Sequence, residues 1–417
     1  MKKKDYILNL CKNAKDASLN LIKFNASDKN EALLLISNKL TDNIQLIISE
    51  NEKDLIEGKK NKLSSALLDR LKLNEERIIS MSDALVKIAK FPDPIGEIEE
   101  GWKTETGLWI SKVRVPIGVI AMIYESRPNV TIDAASLAIK SSNAIILRGG
   151  KEAIYSNKIL AKLLREAIKE SKLPNNIVQL IEYTDRAMVS ELIRAKDYVD
   201  CIIPRGGKGL KNAIVENAKV PVIITGAGLC HVYVDEFADK NKVVPIVLNA
   251  KTQRTGVCNA IESLLIHSKY SIEYKKEVID SLIDKNVEVV GCERTRKLNS
   301  KVGIAKEEDY ATEYLDMKIS VKIVDSIDEA INHINTYGTK HSESIITESV
   351  GSSERFLNEI DASTVYLNAS TRFTDGSEFG FGGEIGISTQ KLHARGPMGV
   401  KALTTTKYVV RGNGNIR

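Results

Sequence analysis

One cysteine, Cys258, stands among residues that favour nucleophilic chemistry. The surrounding stretch reads KTQRTGVCNAIES over residues 251–263, so the thiol follows Gly256 and lies between Arg254 and Asn259. A cysteine reacts as its thiolate, which a helix N-terminus and nearby cations stabilise. We therefore predict that Cys258 opens a helix and acts as a covalent nucleophile. On this stretch alone, a small buried hydrophobic residue is an equally good interpretation.

Two further turns combine glycine with cations in a way that suits a phosphate group. The run NAIILR leads into Gly-Gly-Lys at 149–151, and CIIP leads into Arg-Gly-Gly at 205–207. Backbone amides and cations at a strand-to-helix turn can receive phosphate. Neither turn matches GxGxxG, and a single glycine pair usually marks only a turn, so the signal is their repetition. The candidate cofactor-binding residues are Arg148, Gly149, Gly150, Lys151, Arg205, Gly206 and Gly207.

The elements that must position these residues alternate between β-branched runs and helical segments. The runs are GVIAMIY, NAIILR, NIVQLI and VDCIIP after Pro116, then HVYVD, SLLIH, NVEVVG, KISVKIV and ESIIT after Gly228. This alternation predicts two doubly wound α/β domains with parallel sheets, whose ligands lie at the carboxyl ends of the strands. Residues 1–95 are predicted to be helical, with a cap at Ser27. The apolar residues at helical spacing are Leu33, Ile36, Leu40, Ile44 and Ile47.

Two segments differ from this alternation. GWKTETGLWISKVRVP predicts a hairpin that turns at Thr106 and Gly107, with Trp102 and Trp109 on its arms. Exposed aromatic residues suggest a subunit contact, and cover for the domain's own core is the alternative. The second segment, FTDGSEFGFGGEIGISTQKLHARGPMG, is rich in glycine and precedes the alternating strand LTTTKYVV. Glycine at this density indicates close backbone approach to a ligand or another subunit.

Composition excludes several classes of protein. The chain has 417 residues, of which 43% are hydrophobic and 28% charged, as in ordinary globular proteins of two or three domains. Its longest apolar run, 115–124, is far shorter than the ~18 residues of a membrane helix, and charge returns soon after the start MKKKD. Five cysteines without a CxxC pair argue against disulfides and against a metal site. The net charge of +5 is spread along the chain. We expect a cytoplasmic protein that binds neither membrane nor nucleic acid.

Five longer motifs carry a resemblance to a known family. They are VPIGVIAMIYESRPNVTIDA, KSSNAIILRGGKEA, PRGGKGL, QRTGVCNA and FGFGGEIGISTQKLHARGPMG, and together they extend over most of the chain. The chain resembles the gamma-glutamyl phosphate reductases of the aldehyde dehydrogenase superfamily. The resemblance implies reduction of L-glutamyl 5-phosphate by NADPH to L-glutamate 5-semialdehyde with release of phosphate, a step of proline biosynthesis.

The resemblance also implies a domain plan and an assembly. The expected fold is aldehyde dehydrogenase-like α/β, with a cofactor-binding domain in residues 1–100 and 116–228 and a catalytic domain carrying Cys258 in 229–362. Segments 101–115 and 363–417 are expected to form a β-hairpin and C-terminal oligomerisation element that also closes the active site. A homodimer or homotetramer is expected, and glutamate 5-kinase is a possible source of the substrate by direct handover.

Roles for individual residues follow from the same resemblance. Cys258 would form a thioester, and Glu313 would hold the nicotinamide ribose. The superfamily's oxyanion asparagine aligns with Glu125 when no gap is allowed, but we prefer Asn129 because a carboxylate would repel an oxyanion. Lys151 takes the place of a glutamate of NAD-preferring relatives, which predicts NADP(H). The candidate substrate-binding cations are Arg127, Arg254, Lys391, His393 and Arg395.

Other functions stay open at this point. A hydrolytic or CoA-acylating aldehyde dehydrogenase would share the fold and Cys258. The hydrolytic type needs a base that activates water, and the aligned position here is Ile224, which cannot accept a proton. A non-catalytic binding protein on the same scaffold is an alternative of a different class.

Overall fold

The protein contains two parallel β-sheets, each packed against helices. A computed structural model describes residues 3–417. The α-helices are α1 (Lys3–Leu21), α2 (Ala26–Asp42), α3 (Ile44–Lys60), α4 (Ser65–Leu71), α5 (Glu75–Lys90), α6 (Asn129–Lys140), α7 (Ile154–Glu170), α8 (Arg186–Leu192), α9 (Lys208–Asn217), α10 (Lys240–Thr252), α11 (Ile272–Asp284), α12 (Glu293–Arg296), α13 (Ile327–Tyr337) and α14 (Val350–Glu359). The β-strands are β1 (Ile98–Lys103), β2 (Trp109–Pro116), β3 (Val119–Tyr124), β4 (Ala144–Arg148), β5 (Val178–Leu180), β6 (Cys201–Arg205), β7 (Cys230–Val234), β8 (Ile261–His267), β9 (Glu288–Gly291), β10 (Gly303–Ile304), β11 (Lys318–Val324), β12 (Ser342–Ile346), β13 (Thr364–Leu367), β14 (Ile387–Ser388), β15 (Gly396–Pro397) and β16 (Thr404–Arg411).

The chain divides into two compact units. The first unit extends to Ile224 and also takes in Gly380–Gly386 and Met398–Arg417. The second unit comprises Thr225–Phe379 and Ile387–Pro397. Each unit contains one of the parallel sheets, so the predicted α/β class with two parallel-sheet domains is confirmed. Among the helices of residues 3–417, none combines the length and the hydropathy that a membrane span requires.

The parallel sheet of the first unit has the strand order β5-β4-β3-β6. Every residue of β3 and β4 is buried, because helices cover strands of this kind and favour continuous apolar runs such as VIAMIY. The chain winds from β3 outward to β5 and then returns to place β6 on the other side of β3. This reversal is the topological switch point of a doubly wound sheet, and in folds of this kind ligands bind beside it at the carboxyl ends of the strands.

The N-terminal region is helical as predicted, but two details of the prediction are wrong. Helix α2 begins at Ala26 and its cap is Asn25, whose side chain accepts the amide of Asp28 while the Asp28 carboxylate accepts the amide of Asn25. The reciprocal pair satisfies two amides at once, which Ser27 cannot do from inside the first turn. The apolar series is also divided between two helices, because α2 ends before Asn43 and α3 starts after it.

The predicted hairpin is confirmed and gains a third strand from the C-terminus. Strands β1 and β2 pair antiparallel up to Lys103 and Trp109, and β16 pairs antiparallel with β2 along its whole length. Trp102 is 40% exposed and Trp109 is 58% exposed, so neither is buried in a core of the described chain. Tyr408 of β16 packs edge-on against Trp102 with ring centroids 6.2 Å apart. Trp102 and Tyr408 therefore share one face of this sheet, and the register places Trp109 on the other face.

The second unit contains the larger sheet, with the strand order β10-β9-β11-β8-β7-β12-β13 and parallel pairing throughout. Its strands β7, β8 and β12 are buried along their whole length. The burial includes polar side chains, among them His231 of β7 and Glu343 of β12, which pair through His231 Nδ1 and Glu343 Oε2 at 2.9 Å.

A buried aromatic group covers this pair. The ring of His333 in α13 packs edge-on against the rings of His231 and Tyr310, with centroids 5.7 and 5.2 Å away. The ring centroid of Tyr337 lies 4.6 Å from that of His333. Neither ring nitrogen of His333 has a hydrogen-bond partner among the described residues. Burial, helped by the neighbouring His231 and Lys322, lowers the pKa of His333 to about 3.

This lowered pKa predicts loss of stability in acid. In the unfolded chain a histidine has a pKa of about 6.5 and takes up a proton below that pH, whereas in the folded chain His333 stays neutral down to about pH 3. The free energy of unfolding is therefore at its full value above pH 6.5 and decreases as the pH falls from there towards 3. At pH 5.5 the penalty for one such histidine is about 1 kcal/mol. We expect His333→Phe to reduce the fall in unfolding midpoint between pH 8 and pH 5.5. The exposed His393 provides the control, and an equal fall in His333→Phe and His393→Asn would contradict the assignment.

Candidate active site

Cys258 lies in a turn between α10 and β8, at the amino edge of the sheet of the second unit. The prediction that it opens a helix is wrong, because β8 begins three residues later and no helix follows the turn. The segments that precede β7, β8, β11 and β12 meet at this edge, since parallel strands place their amino ends together. The thiol is half-buried.

The other thiols differ from Cys258 in their surroundings. Burial raises the pKa of Cys11 and of Cys201 to about 12, and it raises the pKa of Cys230 well above the usual range. Cys292 is half-buried, and although burial acts to raise its pKa, hydrogen bonds from the Ile323 amide and from Thr295 leave that pKa lowered. Sequence reasoning missed this second thiol: Thr295 follows it by three residues, but the amide of Ile323 reaches it only in the folded sheet.

The backbone of the Cys258 turn is held by the segment that leads into β7. A Cβ atom on Gly228 would lie 1.4 Å from the carbonyl oxygen of Cys258, so only glycine fits there. The thiol of Cys230 donates to the same carbonyl at 3.2 Å and lies 3.6 Å from Nδ1 of His341. These contacts fix the main chain of Cys258 rather than its sulfur.

The residue after the cysteine joins the turn to the segment after β13. Asn259 donates from its side chain to the carbonyl oxygen of Thr374 at 2.9 Å, and its own carbonyl accepts the hydroxyl of Thr371 at 2.7 Å. Its side-chain oxygen accepts a hydrogen bond from the guanidinium of Arg372, which also donates to Gln253 at 2.9 Å. Asn259 is therefore a structural residue of the turn.

Arg372 is the cation that sequence reasoning missed at this site. Burial lowers the pKa of its guanidinium and Arg254 adds to this effect, whereas Asp375 and the thiol of Cys258 oppose it. The guanidinium of Arg372 is thus near enough to Cys258 for the two to interact electrostatically. Arg254, the neighbour chosen from the sequence, is exposed. No local pattern connects Arg372 with Cys258, because the fold brings them together.

Glu313 lies beside the Cys258 turn as well. Its carboxylate accepts the amide of Gly228 at 2.6 Å, and Gly228 is the residue that packs on the Cys258 carbonyl. Glu313 stands in the loop before β11, so the amino ends of three neighbouring parallel strands contribute to this arrangement.

In the first unit, two of the predicted glycines meet Glu125 at the switch point. The amide of Gly207 donates to Glu125 Oε2 at 2.9 Å, and a Cβ on Gly206 would lie 2.4 Å from the same oxygen. Glu125 follows β3, and the two glycines follow the neighbouring β6 and start α9. Arg205 donates to the carbonyl oxygen of Ile385 at 2.8 Å. An anionic group thus sits at an amide that sequence reasoning assigned to phosphate.

The two cations of the turn after β4, Arg148 and Lys151, differ in their exposure to solvent. Arg148 is buried and donates to the carbonyl oxygen of Thr184 at 3.0 Å, and burial lowers the pKa of its guanidinium. A Cβ on Gly149 would lie 2.0 Å from Nδ2 of Asn157, and one on Gly150 would lie 2.0 Å from Glu152 Oε1. Lys151 is exposed at the start of a 3₁₀ turn. It is the cation of this turn that solvent reaches.

Asn129 is the first residue of α6, directly after the loop that follows β3. Its amide nitrogen donates to Asp133 Oδ2 at 2.8 Å, four residues along the same helix. Burial raises the pKa of Asp133 to about 6, and the bond from Asn129 acts in the opposite direction. This contact fixes the orientation of the Asn129 amide. Arg127 is half-buried in the same loop, and its carbonyl oxygen accepts the amide of Val130 at 3.0 Å.

Two of the predicted substrate cations share one carboxylate in the second unit. Arg395 and Lys391 approach the oxygens of Asp361 at 2.7 and 3.1 Å, and Lys340 approaches them at 2.9 Å. Hydrogen bonds from Lys340, Arg395 and Lys391 hold the pKa of Asp361 well below its usual range. His393 is exposed between the two, with a left-handed backbone at φ 67°. Three cations around one anion leave a local excess of positive charge.

Comparison with known proteins identifies the chain's relatives. A model of the aldehyde dehydrogenase family matches residues 4–297 and 319–409. The gamma-glutamyl phosphate reductase of Petrotoga mobilis is 53% identical over 417 residues, covering 100% of both chains, and that of Clostridium acetobutylicum is 52% identical over 99% of each. In structure, the gamma-glutamyl phosphate reductase of Thermotoga maritima matches with a TM-score of 0.96 at 48% identity over 99% of each chain.

A more distant structure extends the likeness of fold. An acetylating aldehyde dehydrogenase from Geobacillus thermoglucosidasius matches with a TM-score of 0.72 at 18% identity, over 100% of this chain and 98% of that one. Identity this low shows the fold alone. The predicted aldehyde dehydrogenase-like fold is confirmed.

The close approach of Gly228 to the Cys258 turn can be tested by adding one methyl group. We expect Gly228→Ala to lower the free energy of unfolding by roughly 3 kcal/mol and to change the alkylation rate of Cys258, because a backbone atom must move. Gly351→Ala in α14 is the control, since the nearest atom to its Cβ is 3.9 Å away. Thermal midpoints and iodoacetamide labelling measure both effects, and equal results for the two variants would refute the argument.

Proposed function

The chain belongs to the aldehyde dehydrogenase family and, within it, to the gamma-glutamyl phosphate reductases, and from this premise we propose its reaction. It reduces L-glutamyl 5-phosphate to L-glutamate 5-semialdehyde with release of phosphate, in proline biosynthesis. The resemblance predicted from the motifs is confirmed. The observation that supports the chemistry best is the half-buried Cys258, held in a rigid turn beside Arg372.

We assign the covalent step to Cys258. Its thiolate would attack the carbonyl carbon of the acyl phosphate, and the carbon–oxygen bond to phosphate would break to leave a thioester. The oxyanion formed on the way needs donors that are already oriented. We assign these donors as the backbone amide of Cys258 and the side-chain amide of Asn129, whose direction Asp133 fixes. Arg372 would hold the sulfur in its ionised form.

We assign the nicotinamide cofactor to the switch point of the first unit. The amide of Gly207 now donates to the carboxylate of Glu125, so this carboxylate would have to turn away before the amide could receive a phosphate. When bound, NADPH supplies the hydride that reduces the thioester. Lys151 would attract the 2′-phosphate, and Glu313 would accept the ribose hydroxyls. The remaining residues of the proposed site are Arg148, Gly149, Gly150, Arg205 and Gly206.

The substrate brings a carboxylate and an acyl phosphate, which call for cations at two points. We propose Arg127, Arg254 and the group of Lys391, His393 and Arg395. In that last group the excess of positive charge around Asp361 would attract an anion, although each cation there would have to share its hydrogen bonds with Asp361. Lys391 and Arg395 would then both bind Asp361 of the protein and bind the substrate.

Assembly and location are proposals of the same kind. Trp102 of β1 and Tyr408 of β16 are exposed on one face of the three-stranded sheet, and Trp109 of β2 is exposed on the other face. Exposed aromatic residues are suited to a contact with a second copy, so a homodimer or homotetramer is proposed. We place the protein in the cytoplasm, where glutamate 5-kinase could hand over its labile product.

The reverse reaction tests the function and the nucleophile together. We expect oxidation of glutamate 5-semialdehyde with NADP to need phosphate or arsenate beyond one turnover, because Ile224 offers no base for hydrolysis of the thioester. Cys258→Ala should lose at least about a thousandfold in kcat/KM and keep its thermal midpoint. Steady-state NADPH formation with and without phosphate is the measurement. Equal rates in both buffers would indicate a hydrolytic enzyme, and an active Cys258→Ala would rule out the thioester.

Cofactor choice tests the role of Lys151. We expect Lys151→Glu to lower the ratio of kcat/KM for NADPH to that for NADH by at least about tenfold, because attraction of the 2′-phosphate becomes repulsion. Lys158→Glu in α7 makes the same charge change seven residues further on and should leave the ratio within about twofold. An unchanged ratio in Lys151→Glu would remove this residue from the proposed site.

A further inference from the structure

A buried ion pair lies beneath the Cys258 turn, and the proposed reaction gives it no part. Lys251 lies in the last turn of α10, Glu262 is the second residue of β8, and Lys251 Nζ lies 2.6 Å from Glu262 Oε2. Both side chains have no exposed surface. The pair therefore closes the loop 251–262 at its base, and Cys258 is carried on this loop. Burial lowers the pKa of Lys251 and raises that of Glu262 to about 7, with the partner opposing the shift in each case.

The second oxygen of Glu262 reaches a different segment. Glu262 Oε1 accepts the amide of Leu315 at 3.0 Å. Leu315 has a left-handed backbone with φ 55°, a conformation that a leucine seldom adopts without a specific restraint. Two residues earlier, Glu313 accepts the amide of Gly228, and Gly228 packs on the carbonyl of Cys258. One buried carboxylate thus connects the loop of the nucleophile with the segment that carries Glu313.

A buried pair of this kind seldom adds stability compared with apolar side chains of similar volume. Its specific effect is on geometry, because each oxygen of Glu262 has one fixed donor from a different segment. We propose that Glu262 is a positioning residue: oriented by Lys251, it holds the amide of Leu315 and thereby sets Glu313 relative to the Cys258 turn. The inference rests on the proposed function only where it concerns the cofactor, since the contacts of Glu262 exist without it.

Two double variants isolate the contact with Leu315. Removing one partner alone leaves a buried charge, which can prevent folding, so both charges are removed together. Lys251→Met with Glu262→Gln keeps an oxygen that can accept the Leu315 amide. Lys251→Met with Glu262→Met has a similar volume and no acceptor. Their difference therefore reports on the hydrogen bond, and thermal midpoints of both variants control for general loss of structure.

The first readout does not depend on the reaction. Hydrogen exchange resolved to the Leu315 amide should be at least about tenfold faster in the methionine variant than in the glutamine variant, as expected for loss of one hydrogen bond to a buried group. Amides of α11, in the same unit, serve as the internal reference. Equal exchange at Leu315 in the two variants would overturn the proposal.

The second readout concerns the cofactor. The methionine variant should show kcat/KM for NADPH about tenfold below that of the glutamine variant, while iodoacetamide labels Cys258 at rates within about twofold. A difference in exchange without a difference in cofactor kinetics would keep the positioning role and remove Glu313 from the proposed cofactor site. A large change in Cys258 labelling between the variants would show instead that the pair acts on the loop of the nucleophile, and would overturn the assignment to Glu313.

Discussion

The close passage of the Gly228 backbone over the carbonyl of Cys258 is the constraint on which the site of the second unit depends. Because β7 and β8 are adjacent parallel strands, the segments before them reach the same edge side by side. Because Gly228 has no side chain, its backbone can pack directly on the carbonyl of Cys258. Glu313, from the loop before β11, then accepts the amide of Gly228. A site at the amino edge of a sheet is thus assembled from the ends of loops that return from helices.

The cations near the candidate sites differ in their protein partners. In the first unit the buried Arg148 is bound to a carbonyl and the exposed Lys151 is left for solvent. In the second unit Lys251 is buried against Glu262, Arg372 is bound to the Cys258 turn, and Lys391 and Arg395 share Asp361. A cation that already has a protein partner is fixed in direction before any ligand arrives. Such preorganisation favours electrostatic selection of anions.

The sequence predicted the elements well and their junctions poorly. Strands such as VIAMIY and the hairpin of Trp102 and Trp109 are local patterns, so spacing and turn residues were enough to identify them. The cap at Asn25 was missed because a reciprocal bond with Asp28 outweighs the preference for serine. Arg372 and Glu262 could not have been assigned from spacing, since their roles exist only after distant strands become neighbours. Long motifs supplied the family, but motifs alone do not show which cation is buried.

The pairing of β16 with β2 has a consequence for folding during synthesis of the chain. Strand β2 ends at Pro116, whereas its partner β16 begins only at Thr404. The sheet of the second unit, in contrast, is complete once β13 has been synthesised. Contacts of large sequence separation form late and slowly, so the nascent chain exposes an unpaired edge of β2 from the synthesis of Pro116 until that of Thr404. During this interval, that edge and the tryptophans beside it are open to pairing with wrong partners.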